Sequence, residues 1–263
     1  MTHLHAELNQ PISLVIGPDA APDLADALRQ TFGPDVSEDR TVSDPFLRLD
    51  GEGLTLVSEG QELRGDFTRL LPRLKQNLLN QELLVRTAKI KNAEGELTAV
   101  DATAGLGEDS LLLAAAGFHV RMYEHNPVIY ALLRDALRRA EEIPELAEIV
   151  SRMQVFNEDS VAAMAQLETT PDVILLDPMF PARQKSALVK KKLQMIQKLE
   201  IPCAGEAELL RAAMNARPKK LIIKRPPKGP YLADVKPDHS ITGKAVRFDC
   251  IVNPYDKIHK YKL

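Results

Sequence analysis

Cysteine is scarce in this sequence: there are two, Cys203 and Cys250. They lie far apart and match neither a C-x-x-C pair nor any zinc spacing, which argues against a disulfide framework and against a cysteine metal site. A leader-like start is missing too, because residues 1–10 carry no basic stretch followed by an apolar run. Nor does any segment approach the roughly 18 consecutive apolar residues that a membrane helix needs. Internal repeats and low-complexity tracts are absent, and with a net charge of −3 neither sign dominates. These absences lead us to expect a soluble, cytoplasmic protein in a reduced compartment, with no membrane contact and no obligate protein partner. The composition that remains, 44% apolar and 27% charged over 263 residues, is that of an ordinary globular protein. It suits one large α/β domain, or a domain of about 150–200 residues with an appendage.

Charge is unevenly spread along the chain. From Arg183 onward there are 19 Lys+Arg against 7 Asp+Glu, leaving 15 against 30 in the remainder. Such polarity is expected of a molecule with one face that attracts a polyanion, unless the fold intermixes the charges.

Three regions differ in pattern. Residues 1–66 hold short apolar runs, Ile12 to Ile16, Phe46 to Leu49 and Leu54 to Val57, bounded by Gly-Pro and Asp-Pro turn formers. With one helix at Ala21 to Gln30, they predict a small N-terminal α+β subdomain. Residues 67–96 carry leucines at helical spacing from Leu70 to Leu84, interleaved with basic residues, and predict one or two linking amphipathic helices. Residues 97–263 alternate strand-like and helix-like segments, as a mostly parallel sheet requires. The expected strands are Leu97–Asp101, His119–Tyr123, Met153–Phe156, Val173–Leu176 and Lys219–Lys224. The expected helices are Glu108–Ala116, Pro127–Glu142, Ser160–Leu167, one within Lys185–Leu199, and Glu206–Asn215. Ala245 to Tyr255 is expected to supply a terminal strand pair.

The first chemically informative stretch is Asp101-Ala-Thr-Ala-Gly105-Leu-Gly107-Glu108-Asp109-Ser110. It joins a predicted strand to a predicted helix, and Gly105 and Gly107 let a ligand approach the backbone near the positive helix end. The next strand ends at Glu124-His125, and Glu124 stands 19 positions after Gly105. That is the spacing, about 20, at which a dinucleotide fold offers a carboxylate to both hydroxyls of a ribose. Asp159 and Ser160, after the third strand, are placed to meet an adenine amino group. Each of these side chains could instead be an ordinary helix cap, but three successive strand ends in this order favour a nucleoside site. A nicotinamide site would want a third glycine where Ser110 stands. Glu108 and Asp109 would also repel a pyrophosphate, while they suit the cationic sulfonium and ammonium of S-adenosylmethionine (AdoMet).

The fourth strand runs into Asp177-Pro178-Met179-Phe180-Pro181. A base amine is a poor nucleophile while its lone pair is conjugated into the ring. Asp177 and the Pro178 carbonyl can accept its two N–H groups, and Phe180 can stack on the base. No metal is required for this chemistry. The cations Arg183, Lys185, Lys190, Lys191, Lys224 and Arg225 flank the loop and are candidates to hold RNA phosphates, with a solvated helix face as the competing account for the lysine run.

Together, Asp-Ala-Thr-Ala-Gly-Leu-Gly at 101–107, Arg-Met-Tyr-Glu-His-Asn-Pro at 121–127, Leu-Asp-Pro-Met-Phe-Pro at 176–181, Gln-Lys-Ser-Ala-Leu-Val-Lys-Lys at 184–191 and Lys-Arg-Pro at 224–226 resemble the RsmJ (YhiQ) family. That resemblance implies a class I, Rossmann-like AdoMet-dependent fold and guanine-N2 methylation of small-subunit (16S) ribosomal RNA. S-adenosylhomocysteine would be the product, and the RNA or the small subunit the partner. It further implies cofactor contacts at Glu108, Asp109, Glu124, His125, Asp159, Ser160 and Asp177. An AdoMet enzyme with another substrate, and a non-catalytic RNA-binding factor on the same fold, remain open at this point.

Overall fold

A computed structural model describes residues 12–35, 42–91, 95–178 and 205–260. Two sheets organise the chain. The smaller has four strands in the order β1-β2-β3-β4: Ser13–Ile16, Phe46–Asp50, Gly53–Ser58 and Gln61–Leu63. β1 runs parallel to β2 and the others are antiparallel. Helix α1, Pro22–Phe32, links β1 to β2 and turns Ala25 and Leu28 inward.

The larger sheet has seven strands: β5 (Leu97–Asp101), β6 (Phe118–Tyr123), β7 (Met153–Phe156), β8 (Val173–Leu176), β9 (Lys220–Arg225), β10 (His239–Thr242) and β11 (Arg247–Val252). In space they run β10-β11-β9-β8-β5-β6-β7. β5 to β9 are mutually parallel, and β11 is antiparallel to both of its neighbours. Counted within this sheet the order is 3-2-1-4-5-7-6, so the chain direction across the sheet switches between β5 and β8. Open α/β sheets bind ligands at the carboxyl ends of the strands flanking such a switch point.

Period-two alternation explains why β8 is apolar throughout. Val173 and Leu175 pack into one core while Ile174 and Leu176 pack into the other, as expected for a strand covered on both faces. The first face carries α4 (Leu83–Ala88), α5 (Glu108–Ala115), α6 (Pro127–Glu141) and α7 (Pro144–Val150). The second carries α8 (Ser160–Ala165) and α9 (Glu206–Asn215). α6 serves two cores at once: Leu133, Ala136, Leu137 and Ala140 face the large sheet, and Val128, Ile129, Ala131 and Leu132 meet the small one.

Two expectations are corrected. The leucine-rich linker is not one or two regular helices. It is a 3-10 turn at Phe67–Leu70 followed by α2 (Leu71–Leu74), α3 (Gln76–Leu79) and α4. Lys75 and Glu82 adopt extended backbone angles and interrupt it, and Arg73 reaches back across the fold to Glu82 at 2.7 and 2.9 Å. The terminal strand pair does not lie wholly within Ala245 to Tyr255, since β11 pairs with β10, which starts at His239. Strand β4 and helix α7 were not foreseen. Pro144, which reads as a breaker after α6, instead opens a new helix, where its missing N–H costs nothing. The helix expected within Lys185–Leu199 lies outside the described residues. Among the described residues no helix is long and apolar enough to cross a membrane.

Candidate active site

The carboxyl ends of β5, β6, β7 and β8 bring the predicted cofactor residues to one edge of the sheet. β5 ends in Asp101, which is 2% exposed. Its Oδ2 accepts from Ser110 Oγ at 2.6 Å and its Oδ1 from Thr103 N at 3.1 Å. Burial pushes its pKa up to about 6, against the lowering effect of these two donors. With both oxygens engaged by its own loop, Asp101 ties the strand-to-helix turn to the first turn of α5.

Two glycines shape that turn, each for its own reason. Gly107, at φ +75°, is the N-cap of α5, and a Cβ there would stand 2.7 Å from Leu133 Cδ1 and 3.3 Å from Phe67. Gly107→Ala should therefore destabilise the protein by about 1–3 kcal/mol through overpacking and a strained backbone. Urea denaturation checks this, and an unchanged midpoint would contradict the packing described. Gly105, at φ +54°, differs, because a Cβ there meets nothing within 4 Å. The space above its backbone is open, as a ligand lying against this turn requires.

Glu124, just after β6, is turned back toward that opening. Its Oε2 accepts from Gly105 N at 3.0 Å and its Oε1 from Asn126 N at 2.8 Å. Burial outweighs these hydrogen bonds and pushes its pKa up to about 7. Asn126 caps α6 through Val128 N and Ile129 N. Asn157 Nδ2 donates to the carbonyls of Glu124 and His125 at 2.8 and 3.1 Å, joining the loops after β6 and β7. Tyr123 and Phe156 stack beneath them with ring centroids 5.4 Å apart. Asp159 Oδ1 accepts from Val161 N at 2.7 Å, so this side chain does cap α8 while standing exposed at the same edge, with Ser160 beside it.

At the end of β8, the Asp177 backbone N donates to Thr103 Oγ1 at 2.7 Å, which anchors the Asp177-Pro178 loop to the glycine turn. Pro178 follows, partly exposed. Lys224 Nζ, from β9, lies 2.9 Å from Asp177 Oδ2 and 2.5 Å from Asp109 Oδ2 in the first turn of α5. Despite partial burial, these two carboxylates raise the Lys224 pKa further above its ordinary value. Glu108 flanks Asp109 in the same helical turn.

The RNA-binding expectations fare differently. Phe180, Arg183, Lys185, Lys190 and Lys191 lie outside the described residues. Arg225 is corrected: it is 1% exposed, donates from Nε to the Pro230 carbonyl at 3.0 Å and pairs with Glu206 of α9 at 3.3 Å. Lys224 and Arg225 are adjacent in sequence, but neighbours along a strand point to opposite faces. Lys224 therefore turns to the face of α5, where it meets Asp109, and Arg225 to the face of α9, where it meets Glu206. Sequence reasoning missed Thr103, which lies within the glycine stretch, and Asn157, which stands two residues before Asp159.

The acidic strand ends, the open space at Gly105 and the absence of a pyrophosphate-friendly turn fit a small cationic nucleoside better than a dinucleotide. Comparison with known proteins agrees. The family model described as "Putative SAM-dependent methyltransferase" matches residues 40–253. Among curated proteins, the chain is 37% identical over 236 residues to ribosomal RNA small subunit methyltransferase J of Thioalkalivibrio sulfidiphilus, covering 87% of this chain and 92% of that one. It is also 37% identical over 224 residues to the protein of the same name from Acinetobacter baumannii, covering 80% and 78%. Among solved structures, it resembles a SAM-dependent methyltransferase from Neisseria gonorrhoeae with a TM-score of 0.69 and 26% identity, over 92% of this chain and 96% of that one.

Proposed function

Because the chain belongs to the SAM-dependent methyltransferases, in the family of ribosomal RNA small subunit methyltransferase J, we propose that it methylates the exocyclic N2 amine of a guanine in small-subunit ribosomal RNA. The observation that carries this reading is the meeting of two strand ends. The glycine turn after β5 and the Asp177-Pro178 loop after β8 are joined by the Asp177 N to Thr103 Oγ1 hydrogen bond, so a donor at one lies beside an acceptor held at the other.

Bound AdoMet supplies an electrophilic methyl group on a sulfonium. Glu124 accepts the ribose hydroxyls, with His125 beside it. Asp159 and Ser160 face the adenine edge. Gly105 and Gly107 leave room at the turn, and Glu108 and Asp109 set negative charge opposite the sulfonium and ammonium. Asp101 acts through the turn it holds. Asp177 and the Pro178 carbonyl accept the two N–H groups of the guanine amine, which localises the nitrogen lone pair for in-line attack. Phe180 stacks on the base, and Arg183, Lys185, Lys190 and Lys191 hold RNA phosphates. A ribosomal substrate implies a cytoplasmic enzyme.

Glu124 makes this reading testable by pH. Its raised pKa means that it is largely protonated below about 7, and only the carboxylate accepts from both ribose hydroxyls. AdoMet affinity should therefore fall about fivefold from pH 7 to pH 6 as one proton is taken up. Calorimetry across that range checks this, and the pH dependence should vanish in Glu124→Gln. The substrate itself is tested by mass spectrometry of ribosomal RNA nucleosides from a strain lacking the gene. Loss of N2-methylguanosine, restored by the wild-type gene, is expected. An unchanged nucleoside profile, or a lost methyl mark on another base, would overturn the guanine-N2 assignment.

A further inference from the structure

Lys224 is expected from its sequence context to be one of a run of RNA-binding cations. Its surroundings point elsewhere. It sits on β9 with the same parity as Ile222, whose side chain packs in the core beneath α5, and this directs its ammonium along that face toward the first turn of the helix. There it meets Asp109 Oδ2 and Asp177 Oδ2 at 2.5 and 2.9 Å, with 27% of its side chain exposed. A lysine that binds phosphate at a protein surface is normally mobile and solvated. This one is partly buried and fixed between two carboxylates, one at the cofactor turn and one on the loop that grips the amine.

We infer that Lys224 is a positioning residue for methyl transfer, holding the Asp177 carboxylate in the orientation and charge state in which it accepts the guanine N–H. The inference rests on the methyl-transfer reading of Asp177. Thr103 Oγ1 holds the backbone N of that residue and Lys224 holds one carboxylate oxygen, so rotation about its side-chain torsions is restrained. Among the described residues, the charged groups facing Asp177 include Lys224 from β9, Asp109 from α5 and Asp101 from β5. Two of these three are acidic and would favour protonation of Asp177. The ammonium opposes them, and a protonated Asp177 would no longer offer two acceptor oxygens. The proton released from the methylated nitrogen passes to solvent, so Lys224 exchanges no proton and forms no bond with the substrate.

The test compares Lys224→Met, Lys224→Arg and Asp177→Ala with the wild type, using small ribosomal subunits from a strain lacking the gene and AdoMet. For Lys224→Met, kcat should fall about 100-fold, as a misplaced catalytic group costs. The KM for subunits and the AdoMet Kd by calorimetry should each stay within about threefold, which is under one pK unit of binding energy. The acidic limb of the kcat profile should move up by about one pH unit or more, because Asp177 has lost its cation. Lys224→Arg, which keeps the charge, should recover about tenfold of the loss. If Lys224→Met fails to fold, Lys224→Gln carries the same comparison. A raised subunit KM with unchanged kcat would make Lys224 a phosphate contact and overturn the inference. An AdoMet affinity falling in step with kcat would make it a cofactor residue, with the same consequence. Asp177→Ala, which removes the acceptor altogether, separates the two levels. If it keeps full activity, the methyl-transfer reading fails and the inference with it; if it is inactive while Lys224→Met is not, only the inference fails.

Discussion

Asp177→Ala should lower kcat by about 10²- to 10³-fold, the loss typical of removing one preorganised polar group from a transition state, while AdoMet binding weakens only modestly. The split follows from where the residue sits. Its carboxylate lies just after the end of β8, beside the switch point, and its backbone N is pinned to Thr103 Oγ1. An amine conjugated with a purine ring gains nucleophilicity only as its nitrogen pyramidalises, so an N–H acceptor contributes more in the transition state than in the ground state. Such a contribution appears in kcat and is nearly silent in substrate affinity. Removing the side chain also frees Lys224 from one of its two anions, so Asp177→Asn is the cleaner comparison for orientation. Single-turnover methylation and calorimetry measure the two quantities separately. A large loss of AdoMet affinity with little change in kcat would move Asp177 from the amine to the cofactor.

Asp135→Ala is expected to be the most destabilising single substitution proposed here, at about 3–5 kcal/mol, the cost of removing one partner from a buried ion pair. Asp135 lies on α6 with its side chain fully buried. Its Oδ2 accepts from Leu54 N at 2.9 Å and from Arg139 Nε at 2.8 Å, and its Oδ1 from Arg138 Nη2 at 3.1 Å. Arg139 Nη2 continues to the Gly65 carbonyl at 2.5 Å. One carboxylate thus satisfies a backbone N–H of β3 and two guanidinium groups, and its loss leaves the Leu54 N–H without this buried acceptor and takes one partner from each arginine. The approach is so close that a Cβ at Gly53 would stand 2.6 Å from both Asp135 Oδ2 and Arg139 Nε. This clamp reaches the active site through α6. The small sheet is held against the helix whose N-cap, Asn126, also donates its backbone N to Glu124. Denaturant titration of Asp135→Ala, followed by circular dichroism, measures the effect. A change under about 0.5 kcal/mol, the scatter of ordinary surface substitutions, would show that the small sheet docks by apolar contact alone.

How far the sequence could be read depended on whether the deciding interaction was local. The five parallel strands were legible because each is a short apolar run bounded by turn residues, and the strand ends then placed Asp101, Glu124, Asp159 and Asp177 on one edge. The side-chain pairing was not legible. Nothing local says that Lys224 meets Asp109, 115 positions away, or that Thr103 anchors Asp177. Arg225 stands one residue past the expected strand Lys219–Lys224, and only because β9 runs on to Arg225 do Lys224 and Arg225 diverge to opposite faces. The linker failed for another reason. Its leucine spacing satisfies a helical period, yet Lys75 and Glu82 leave the helical region so that Leu79, Leu84 and Ala88 can all reach the core. Tertiary burial there overrides local propensity. Among the described residues of the basic C-terminal segment some cations serve the fold: Lys220 donates to the carbonyls of Thr87 and Lys89, and Arg247 is buried against Asp249.

A crystal structure of the chain with S-adenosylhomocysteine puts the account to its most direct test. The ribose should lie against Glu124, with the adenine toward Asp159 and Ser160, the homocysteine over Gly105, and the sulfur facing the Asp177-Pro178 loop. A ligand seated away from the carboxyl ends of β5 and β6, or an Asp177 side chain turned from the sulfur, would contradict it.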